Sequence, residues 1–464
     1  MMHSLYLESI RMNTEVVILA AGKGSRMKSS KAKVLHPLAG KSLLSYVVDN
    51  AVSLNADVHV VVGHQADQVK NAFVNQNIQF VEQKEQSGTG HAVAQSLDAL
   101  RDDSKVLILY GDVPLCKKQT MQDLLNLVDE NHMGLLTVKL DDATGYGRIV
   151  RNDSNCVVAI VEQKDANESE VLIKEANTGI MAVTSAQLRS WLPKLNNQNA
   201  QGEYYLTDII ALAVTEGVSV ETLEPTTVEE TMGINDKLQL AHLERWQQTQ
   251  LTNELMRQGA TLFDPARVDI RGTVTVGQDV EIDVNVIFNG TVNIGNNVSI
   301  GANCVLTDVE IKDGSVIEPN CVLHDAKIGE QCIIGPFARI RPGTELANKA
   351  KIGNFVETKK AKIGEGSKVN HLSYIGDCEM GAGANVGAGT ITCNYDGVNK
   401  FKTLIGDGAF VGSNSTIIAP VNIEDGAFIG AGSVISKDAP KDQLTLARTK
   451  QRSISSWQKP VKKS

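Results

Sequence analysis

The amino-acid sequence predicts an α/β protein with a Rossmann-like first domain, a linker helix and a parallel β-helix. Apolar runs alternate with amphipathic segments up to about Gly233, and leucines recur at helical spacing within Asn235–Gly259. From about Val268, an aliphatic residue followed by glycine recurs at multiples of about six residues. We therefore expect an N-terminal extension over residues 1–12, a first domain over 13–235, a linker helix over 236–260, and a β-helix with its C-terminal tail over 261–464.

The first domain has the pattern of repeated β-α-β units. Short apolar runs predict buried strands, and the amphipathic stretches between them predict helices that cover a mostly parallel sheet. The strand candidates are Val16–Ala20, Val58–Val62, Val106–Leu109 and Val157–Val161, and the helix candidates are Lys41–Leu54 and Gly90–Leu100.

The second domain carries a six-residue repeat. Eighteen residues separate Val276 from Ile294, and six separate Ile294 from Ile300. Each short strand would turn one aliphatic side chain inward, and three strands would complete a coil. The interval from Val386 to Ile405 is 19 residues, so we expect Thr390–Thr403 to leave the coil as a loop.

Composition excludes several classes of protein. The net charge of −9 lacks the basic footprint of a nucleic-acid-binding protein. Seven scattered cysteines without a Cys-x-x-Cys pair argue against a disulfide framework and against zinc, and fit a reducing, cytoplasmic compartment. We expect neither a signal peptide nor a membrane span, since no apolar stretch is long enough.

A glycine-rich loop follows the first strand, at Leu19–Met27. It is neither a Walker loop nor a dinucleotide fingerprint, because Met27 stands where the third glycine would be. A plain turn is the alternative to a phosphate loop. Arg26 and Lys33 favour the phosphate loop, because together they could neutralise a triphosphate.

Two further motifs point to a nucleotide. The glycines of Gln86–Gly90, after Gln83, would let a flat base lie against the backbone. Tyr110-Gly111-Asp112 ends a predicted parallel strand, where ligands bind in such sheets. A carboxylate next to phosphates suits Mg²⁺, although Asp112 could also be a turn or cap residue.

In the β-helix, three cations could hold a phosphate: Arg341, Lys359 and Lys400. His371 could be a structural histidine, but it lies close in sequence to a set of polar residues on neighbouring coils, Tyr374, Asn385, Asn394 and Tyr395. Cys393 could suggest a thiol nucleophile; we reject this role, since direct acyl transfer needs no covalent relay.

Leu19–Met27, Lys33 and Tyr110-Gly111-Asp112 resemble the sugar-1-phosphate nucleotidyltransferases. The order of motifs from about residue 13 to about 455 resembles the bacterial bifunctional uridylyltransferase/acetyltransferases of UDP-N-acetylglucosamine synthesis. The resemblance implies a left-handed parallel β-helix of hexapeptide repeats, a homotrimer, and a second site shared between chains. It implies acetylation of glucosamine-1-phosphate by acetyl-CoA, then transfer of UMP from UTP to N-acetylglucosamine-1-phosphate with Mg²⁺.

The resemblance also implies residue roles. The nucleotide and phosphates would be bound by Leu19, Ala20, Ala21, Gly22, Gln83, Gly88, Thr89, Tyr110 and Gly111, with Arg26 and Lys33 as catalytic cations. The acetamido sugar would contact Gly147, Glu162 and Asn177, and Mg²⁺ would bind Asp112 and Asn235.

For the second site, the resemblance implies that glucosamine-1-phosphate contacts Arg341, Lys359, Tyr374, Asn385, Asn394, Tyr395 and Lys400. Acetyl-CoA would contact Ala388, Asn394, Tyr395, Ser413, Ala431 and Arg448. His371 would be the general base, since a histidine titrates near neutrality. The alternative is a single-activity glucose-1-phosphate nucleotidyltransferase whose β-helix is regulatory or a scaffold.

Overall fold

The computed structural model describes residues 12–462. The predicted N-terminal extension therefore lies outside the described residues, apart from Met12. The chain divides into two compact units between Trp246 and Gln247. This division falls inside the long helix Lys237–Gln258, so each unit includes part of that helix.

The first unit is built on a nine-stranded mixed sheet with the order β11-β7-β10-β6-β1-β4-β5, with β8 and β9 attached beside β10. Its strands and a small hairpin are β1 Asn13–Ala20, β2 Pro37–Leu38, β3 Lys41–Ser42, β4 Asp57–Val62, β5 Gln79–Glu82, β6 Ser104–Tyr110, β7 His132–Lys139, β8 Arg148–Arg151, β9 Val157–Val161, β10 Glu175–Thr184 and β11 Ser219–Leu223. Strands β1, β4, β5 and β6 are parallel, whereas β10 runs antiparallel to β6 and β7.

Helices cover the sheet because their apolar faces pack on buried strand residues such as Ile18 and Leu107. They are α1 Leu43–Ser53, α2 Ala66–Ala72, α3 Thr89–Ala94, α4 Lys118–Asn126, α5 Ser185–Trp191, α6 Ile209–Thr215 and α7 Lys237–Gln258. Short 3-10 helices occur at Ser25–Met27, Lys33–Leu35, Leu97–Ala99, Glu170–Leu172, Leu192–Lys194, Leu206–Asp208, Val228–Thr231 and Pro265–Arg267.

One predicted helix is shorter than expected. The stretch Gly90–Leu100 is not one helix, because α3 ends at Ala94 and a 3-10 turn follows at Leu97–Ala99. The buried Ser96 hydroxyl donates to the carbonyl of Val93 at 2.6 Å and so competes with continuation of the helix.

The second unit is a stack of parallel strands in two long sheets. The 11-stranded sheet contains β12 Ala260–Leu262, β14 Val280–Ile282, β16 Ser299–Ile300, β18 Val316–Ile317, β20 Ile333–Ile334, β23 Lys351–Asn354, β25 Lys368–His371, β27 Asn385–Val386, β30 Phe410–Val411, β33 Phe428–Ile429 and β35 Leu444–Thr445. The 13-stranded sheet contains β13 Val268–Val276, β15 Val286–Ile294, β17 Val305–Ile311, β19 Val322–Ile328, β21 Arg339–Ile340, β22 Thr344–Leu346, β24 Glu357–Ile363, β26 Tyr374–Met380, β28 Ile391–Cys393, β29 Thr403–Ile405, β31 Thr416–Ile418, β32 Val421–Ile423 and β34 Val434–Ile435.

The repeat places one aliphatic side chain per short strand inside the coils. Ile294 aligns with Ile311, and Ile311 aligns with Ile328, one coil apart, and all three are buried. Ile300 and Ile317 form the equivalent column in the other sheet. The predicted parallel β-helix is thereby confirmed, with a continuous apolar interior.

The predicted loop after Val386 is shorter than Thr390–Thr403. Strand β28 keeps Ile391–Cys393 in the coil, and β29 begins at Thr403. The chain therefore leaves the coil between Asn394 and Lys402. A β-bridge between Tyr395 and Lys400 closes this loop on itself.

Candidate active sites

A cavity of about 580 Å³ opens at the carboxyl ends of β1 and β6. Many of the residues predicted to bind nucleotide line it: Leu19, Ala20, Ala21, Gly22, Lys33, Gln83, Gly88, Thr89, Tyr110, Asp112 and Asn235. The amide of Gly111 donates to the carbonyl of Leu19 at 2.9 Å, which holds the two strand ends together. A Cβ atom on Gly22 would meet nothing within 4 Å, so ligand atoms can approach the backbone there.

Two side-chain oxygen atoms, of Asp112 and Asn235, meet the Lys33 ammonium at the cavity wall. The ammonium of Lys33 forms an ion pair with Asp112 Oδ2 and lies 3.3 Å from Asn235 Oδ1. Arg26 Nη2 donates to the same Asn235 oxygen at 2.9 Å. A carboxylate and an amide oxygen fit a hard divalent cation, which commonly completes its shell with substrate phosphates. Within residues 12–462 no cluster of three or more His, Cys, Asp and Glu side chains forms a metal site without substrate.

Another part of the cavity wall is shaped by Gly88 and Gln83. Gly88 has a φ of +113°, and a Cβ atom there would lie 2.5 Å from the carbonyl oxygen of Tyr204. Only glycine fits both the conformation and the space. Gln83 is 3% exposed, and its Nε2 donates to the carbonyl of Gly88 at 3.1 Å. Thr89 Oγ1 accepts from the amide of Leu206 at 3.1 Å.

The three residues predicted to contact the sugar lie together near Tyr110. The amide of Asn177 donates to the carbonyl of Gly147 at 2.8 Å, and Glu162 Oε1 accepts from Thr207 Oγ1 at 3.2 Å. Burial raises the pKa of the Glu162 carboxyl. Burial, and then the charges of Glu162 and Asp112, raise the pKa of Tyr110.

The second candidate site follows one corner of the β-helix. Asn354 and His371 align on successive coils, and the carbonyl of His371 accepts from the amide of Gly389 at 3.3 Å. Further along the same corner, Asn414 N donates to the carbonyl of Ala388 at 2.7 Å, and Gly432 N donates to that of Ser413 at 2.8 Å.

Arg448 closes this row, because its Nη1 donates to the carbonyl of Ala431 at 2.7 Å. The structure thus brings together His371, Ala388, Ser413, Ala431 and Arg448, four of which were predicted to contact acetyl-CoA. This row gives an extended ligand a continuous backbone surface next to an imidazole.

His371 is exposed, and its ring is oriented by Asn354. The distance from His371 Nδ1 to Asn354 Oδ1 is 2.6 Å. Since an amide oxygen can only accept, Nδ1 is the donor in this contact, and in the neutral imidazole Nε2 is then the acceptor. The imidazole can therefore accept a proton at Nε2.

A cluster of cations lies on the neighbouring sheet. Lys400, and then Arg341, lower the pKa of Lys359, which indicates that their positive charges are close together. Arg341 Nη1 donates to Glu357 Oε1 at 2.6 Å, and the Asn394 amide donates to Asp377. The repulsion between cations would be relieved by a bound phosphate.

The other predicted residues differ in their placement. Tyr374 lies on β26, one coil from Glu357, and its hydroxyl lies 2.4 Å from where a Cβ on Gly376 would stand. Tyr395 is 59% exposed in the loop and donates to the carbonyl of Gly397. Asn385 lies on β27 in the other sheet, aligned with Lys368.

Sequence reasoning missed several contributors. Lys23, Gln86 and Glu203 also line the first cavity. Lys23 and Gln86 belong to predicted motifs without having been singled out, whereas no sequence motif indicated Glu203. Asn354 precedes His371 by 17 residues, which is one coil, so the repeat could have identified it.

Comparisons with known protein families agree with the division of the chain into two units. The family described as a MobA-like NTP transferase domain matches residues 16–202. The GMPPB C-terminal domain matches residues 268–357, and the bacterial transferase hexapeptide family of six repeats matches residues 402–437. The fold and sites therefore define a two-domain transferase, with a nucleotidyltransferase domain followed by a hexapeptide-repeat domain.

Full-length relatives define the family. The bifunctional protein GlmU of Marinobacter nauticus is 58% identical over 96% of this chain and 99% of its own length. The GlmU proteins of Saccharophagus degradans and Cellvibrio japonicus are 59% and 54% identical, each over 97% of this chain and 100% of their own length. The chain belongs to the GlmU family. This membership does not favour the alternative of a single-activity enzyme with a regulatory β-helix.

Proposed function

We propose that this bifunctional enzyme first acetylates glucosamine-1-phosphate with acetyl-CoA at the β-helix corner. It then transfers UMP from UTP to N-acetylglucosamine-1-phosphate in the first unit, giving UDP-N-acetylglucosamine and pyrophosphate. As a member of the GlmU family, the chain has both uridylyltransferase and acetyltransferase activities. The observation that carries the assignment of sites is the presence, in separate units, of a cavity with Lys33, Asp112 and Asn235 at its wall, and of an oriented imidazole together with a cluster of cations.

In the first site, the reaction brings two anions together. The sugar phosphate attacks the α-phosphorus of UTP, and pyrophosphate leaves. Lys33 and Arg26 offset the repulsion, while Gly22 lets the phosphates approach the backbone. We propose Mg²⁺ as the divalent cation, held by Asp112 and Asn235, where it would neutralise the developing charge on the phosphate oxygens.

In the second site, the sugar phosphate would bind to Arg341, Lys359 and Lys400. The amine attacks the thioester carbon of acetyl-CoA and forms an amide as the thiolate leaves. His371 Nε2 accepts the proton that the amine nitrogen loses, so no acyl-enzyme is needed. Asn354 supports this role, because it holds the imidazole in the tautomer that can accept at Nε2.

We propose that the chain assembles as a homotrimer and that neighbouring copies complete the second site. Hexapeptide repeats suggest oligomers. Next to His371, exposed apolar side chains form a ridge of Phe337, Phe355 and Leu372, with the two rings stacked at 5.2 Å. Such a patch favours burial against another chain. Phe355→Lys should lower the oligomeric mass measured by light scattering, and an unchanged trimer would contradict this interface.

We also propose a domain organisation and a cellular location for the chain. The first is the domain organisation, with residues 13–235, 236–260 and 261–464 as the uridylyltransferase domain, linker helix and acetyltransferase domain. A fragment ending near Arg257 should then retain uridylyl transfer. The second is a bacterial cytoplasmic location. Within residues 12–462, no helix has both the length and the apolarity that crossing a membrane requires.

The whole sequence of reactions can be tested with the full chain. Glucosamine-1-phosphate, acetyl-CoA, UTP and Mg²⁺ are supplied together, and the product is identified by mass. UDP-N-acetylglucosamine should form, and omission of acetyl-CoA should prevent its formation. Formation of UDP-glucosamine at an equal rate without acetyl-CoA would contradict the order of the two steps. Replacing Mg²⁺ with a chelator should stop uridylyl transfer and leave acetyl transfer unchanged.

A further inference from the structure

The amide of Gln83 is held at the wall of the nucleotide cavity by two acceptors. Gln83 Nε2 donates to the carbonyl of Gly88 at 3.1 Å and lies 3.0 Å from Nδ1 of His91. The Gln83 backbone is also fixed, since its N–H donates to the carbonyl of Val62 at 2.8 Å. The side chain is 3% exposed and lines the cavity.

These contacts fix which way the amide faces. A carbonyl oxygen can only accept, so the atom of Gln83 that faces Gly88 must be the nitrogen. The second N–H of the same amide then faces His91, whose Nδ1 must be its acceptor. Both donors of Gln83 are therefore used within the protein, and its Oε1 is the group left for a ligand.

We propose that His91 is a positioning residue that locks the Gln83 amide with its oxygen toward the base, so that the site selects uracil over cytosine. This proposal rests on the proposed uridylyl transfer. Uracil carries an N–H at ring position 3, which Gln83 Oε1 can accept. Cytosine has a bare nitrogen acceptor at that position, which would face another acceptor.

His91 can do this because its ring is itself held. It lies on α3, where its backbone carbonyl accepts from Gln95 Nε2 at 3.2 Å, and its ring centroid is 6.4 Å from that of Tyr204. With Nδ1 as the acceptor, Nε2 carries the ring proton. Without the imidazole, one N–H of a buried amide loses its partner, and only Gly88 opposes reversal of the amide. A reversed amide would turn its NH₂ group toward the base, where it could donate to the bare ring nitrogen of cytosine.

The test compares two substitutions of His91 in the full chain. His91→Leu removes the acceptor, whereas His91→Asn offers an amide oxygen close to the position of Nδ1. With UTP and CTP as competing substrates, His91→Leu should lower the ratio of kcat/KM for UTP to that for CTP by about tenfold, the value of one hydrogen bond. KM for UTP should rise while kcat stays nearly unchanged, and His91→Asn should recover most of the ratio.

Three controls separate this role from a structural one. Acetyl transfer should be unchanged in every variant, and His324→Leu, an exposed histidine on the β-helix, should leave the UTP to CTP ratio unchanged. In a Gln83→Ala background, where the ratio is already lost, adding His91→Leu should change it no further. If His91→Leu does not fold, His91→Ala removes the same acceptor with less bulk and should lower the ratio as well.

The outcomes distinguish a failure of the proposed uridylyl transfer from a failure of the proposed role of His91. If the wild-type protein does not use UTP, the proposed function fails. If it uses UTP, and the His91 variants that fold keep the UTP to CTP ratio or lose activity equally with both nucleotides, His91 does not position Gln83. A loss of ratio that His91→Asn does not restore also contradicts the proposal, because it would assign the effect to packing.

Discussion

The charged side chains of the two candidate sites differ in how completely they are paired within the protein. In the first, Lys33 and Asp112 pair at the cavity wall and are only 14% and 15% exposed. In the second, His371 and Lys400 are exposed, and Lys359 and Lys400 repel each other. The first site is therefore electrostatically paired before substrate arrives, whereas in the second Arg341 pairs with Glu357 and the repulsion between Lys359 and Lys400 remains.

This difference indicates how each site should respond to substitution. Within the first site, opposite charges and amide oxygens support one another, so removal of one group leaves another unpaired. On the β-helix, His371, Lys359 and Tyr374 stand on coils whose backbone ladder does not depend on their side chains. Substitutions there should change binding or chemistry with little effect on folding.

The largest effect is expected from Asp112→Ala. The change removes the carboxylate that pairs with Lys33 and that would hold the divalent cation between two anionic substrates. Uridylyl transfer should fall by about 10³-fold or more, measured as pyrophosphate release. Acetyl transfer by the same preparation should stay within about twofold.

Asp103→Ala is the matched control, because Asp103 is an exposed carboxylate just before β6. It should leave both activities unchanged. Equal loss of both activities in Asp112→Ala would mean that Asp112 is a structural residue of the whole chain, and the contrast between the sites would disappear.

His371→Ala should act on the second site alone. A positioned base contributes about 10²- to 10⁴-fold, so kcat for acetyl transfer should fall by that range. KM for glucosamine-1-phosphate should change little, because Arg341 and Lys359 remain. Thiol release with acetyl-CoA measures the rate, and uridylyl transfer serves as the internal control.

The kinetic constants of His371→Ala distinguish a general base from a binding residue. A variant with normal kcat and a raised KM would instead make His371 a binding residue, and the base would have to be another group.

The contrast between the sites also predicts an unusual effect of Lys359→Met. Losing a charged contact to phosphate should raise KM for glucosamine-1-phosphate by about 10- to 100-fold. The neighbouring Lys400 lowers the pKa of Lys359, so in the folded protein the charged form of Lys359 is disfavoured relative to the unfolded chain. The ligand-free variant should therefore melt no lower than the wild-type protein.

The lowered pKa of Lys359 also gives the direction in which folding stability depends on pH. Because this pKa is lower in the folded than in the unfolded protein, the charge of Lys359 destabilises the fold at neutral pH. This destabilisation is relieved as the pH rises through the lowered pKa. Lys351→Met, at an exposed lysine on the other sheet, should leave KM unchanged. A lower melting temperature without phosphate in Lys359→Met would show that the cation cluster stabilises the fold.

The sequence predicted the fold better than it predicted the pairs within each site. The six-residue period identified inward positions such as Ile294 and Ile300, because every coil repeats the same environment. By contrast, Lys33 and Asp112 are 79 residues apart, and Arg26 and Asn235 are 209 apart, so only the folded sheet brings them together. The helix over Gly90–Leu100 was wrong because a serine side chain ends it locally.

The smallest effect is expected at Cys393, which lies at the end of β28 directly before the loop that carries Asn394 and Tyr395. Its thiol is free and partly exposed. Since the amine can attack the thioester directly, Cys393→Ala should keep acetyl transfer within about twofold of wild type.

A bulky alkylating reagent should block acetylation in the wild-type protein by crowding the loop, and Cys393→Ala should resist the reagent. Cys156, exposed in the first unit, supplies the control, because Cys156→Ala should leave that sensitivity intact. A folded Cys393→Ala protein without acetyl transfer would instead support Cys393 as a thiol nucleophile that forms an acyl-enzyme at the second site.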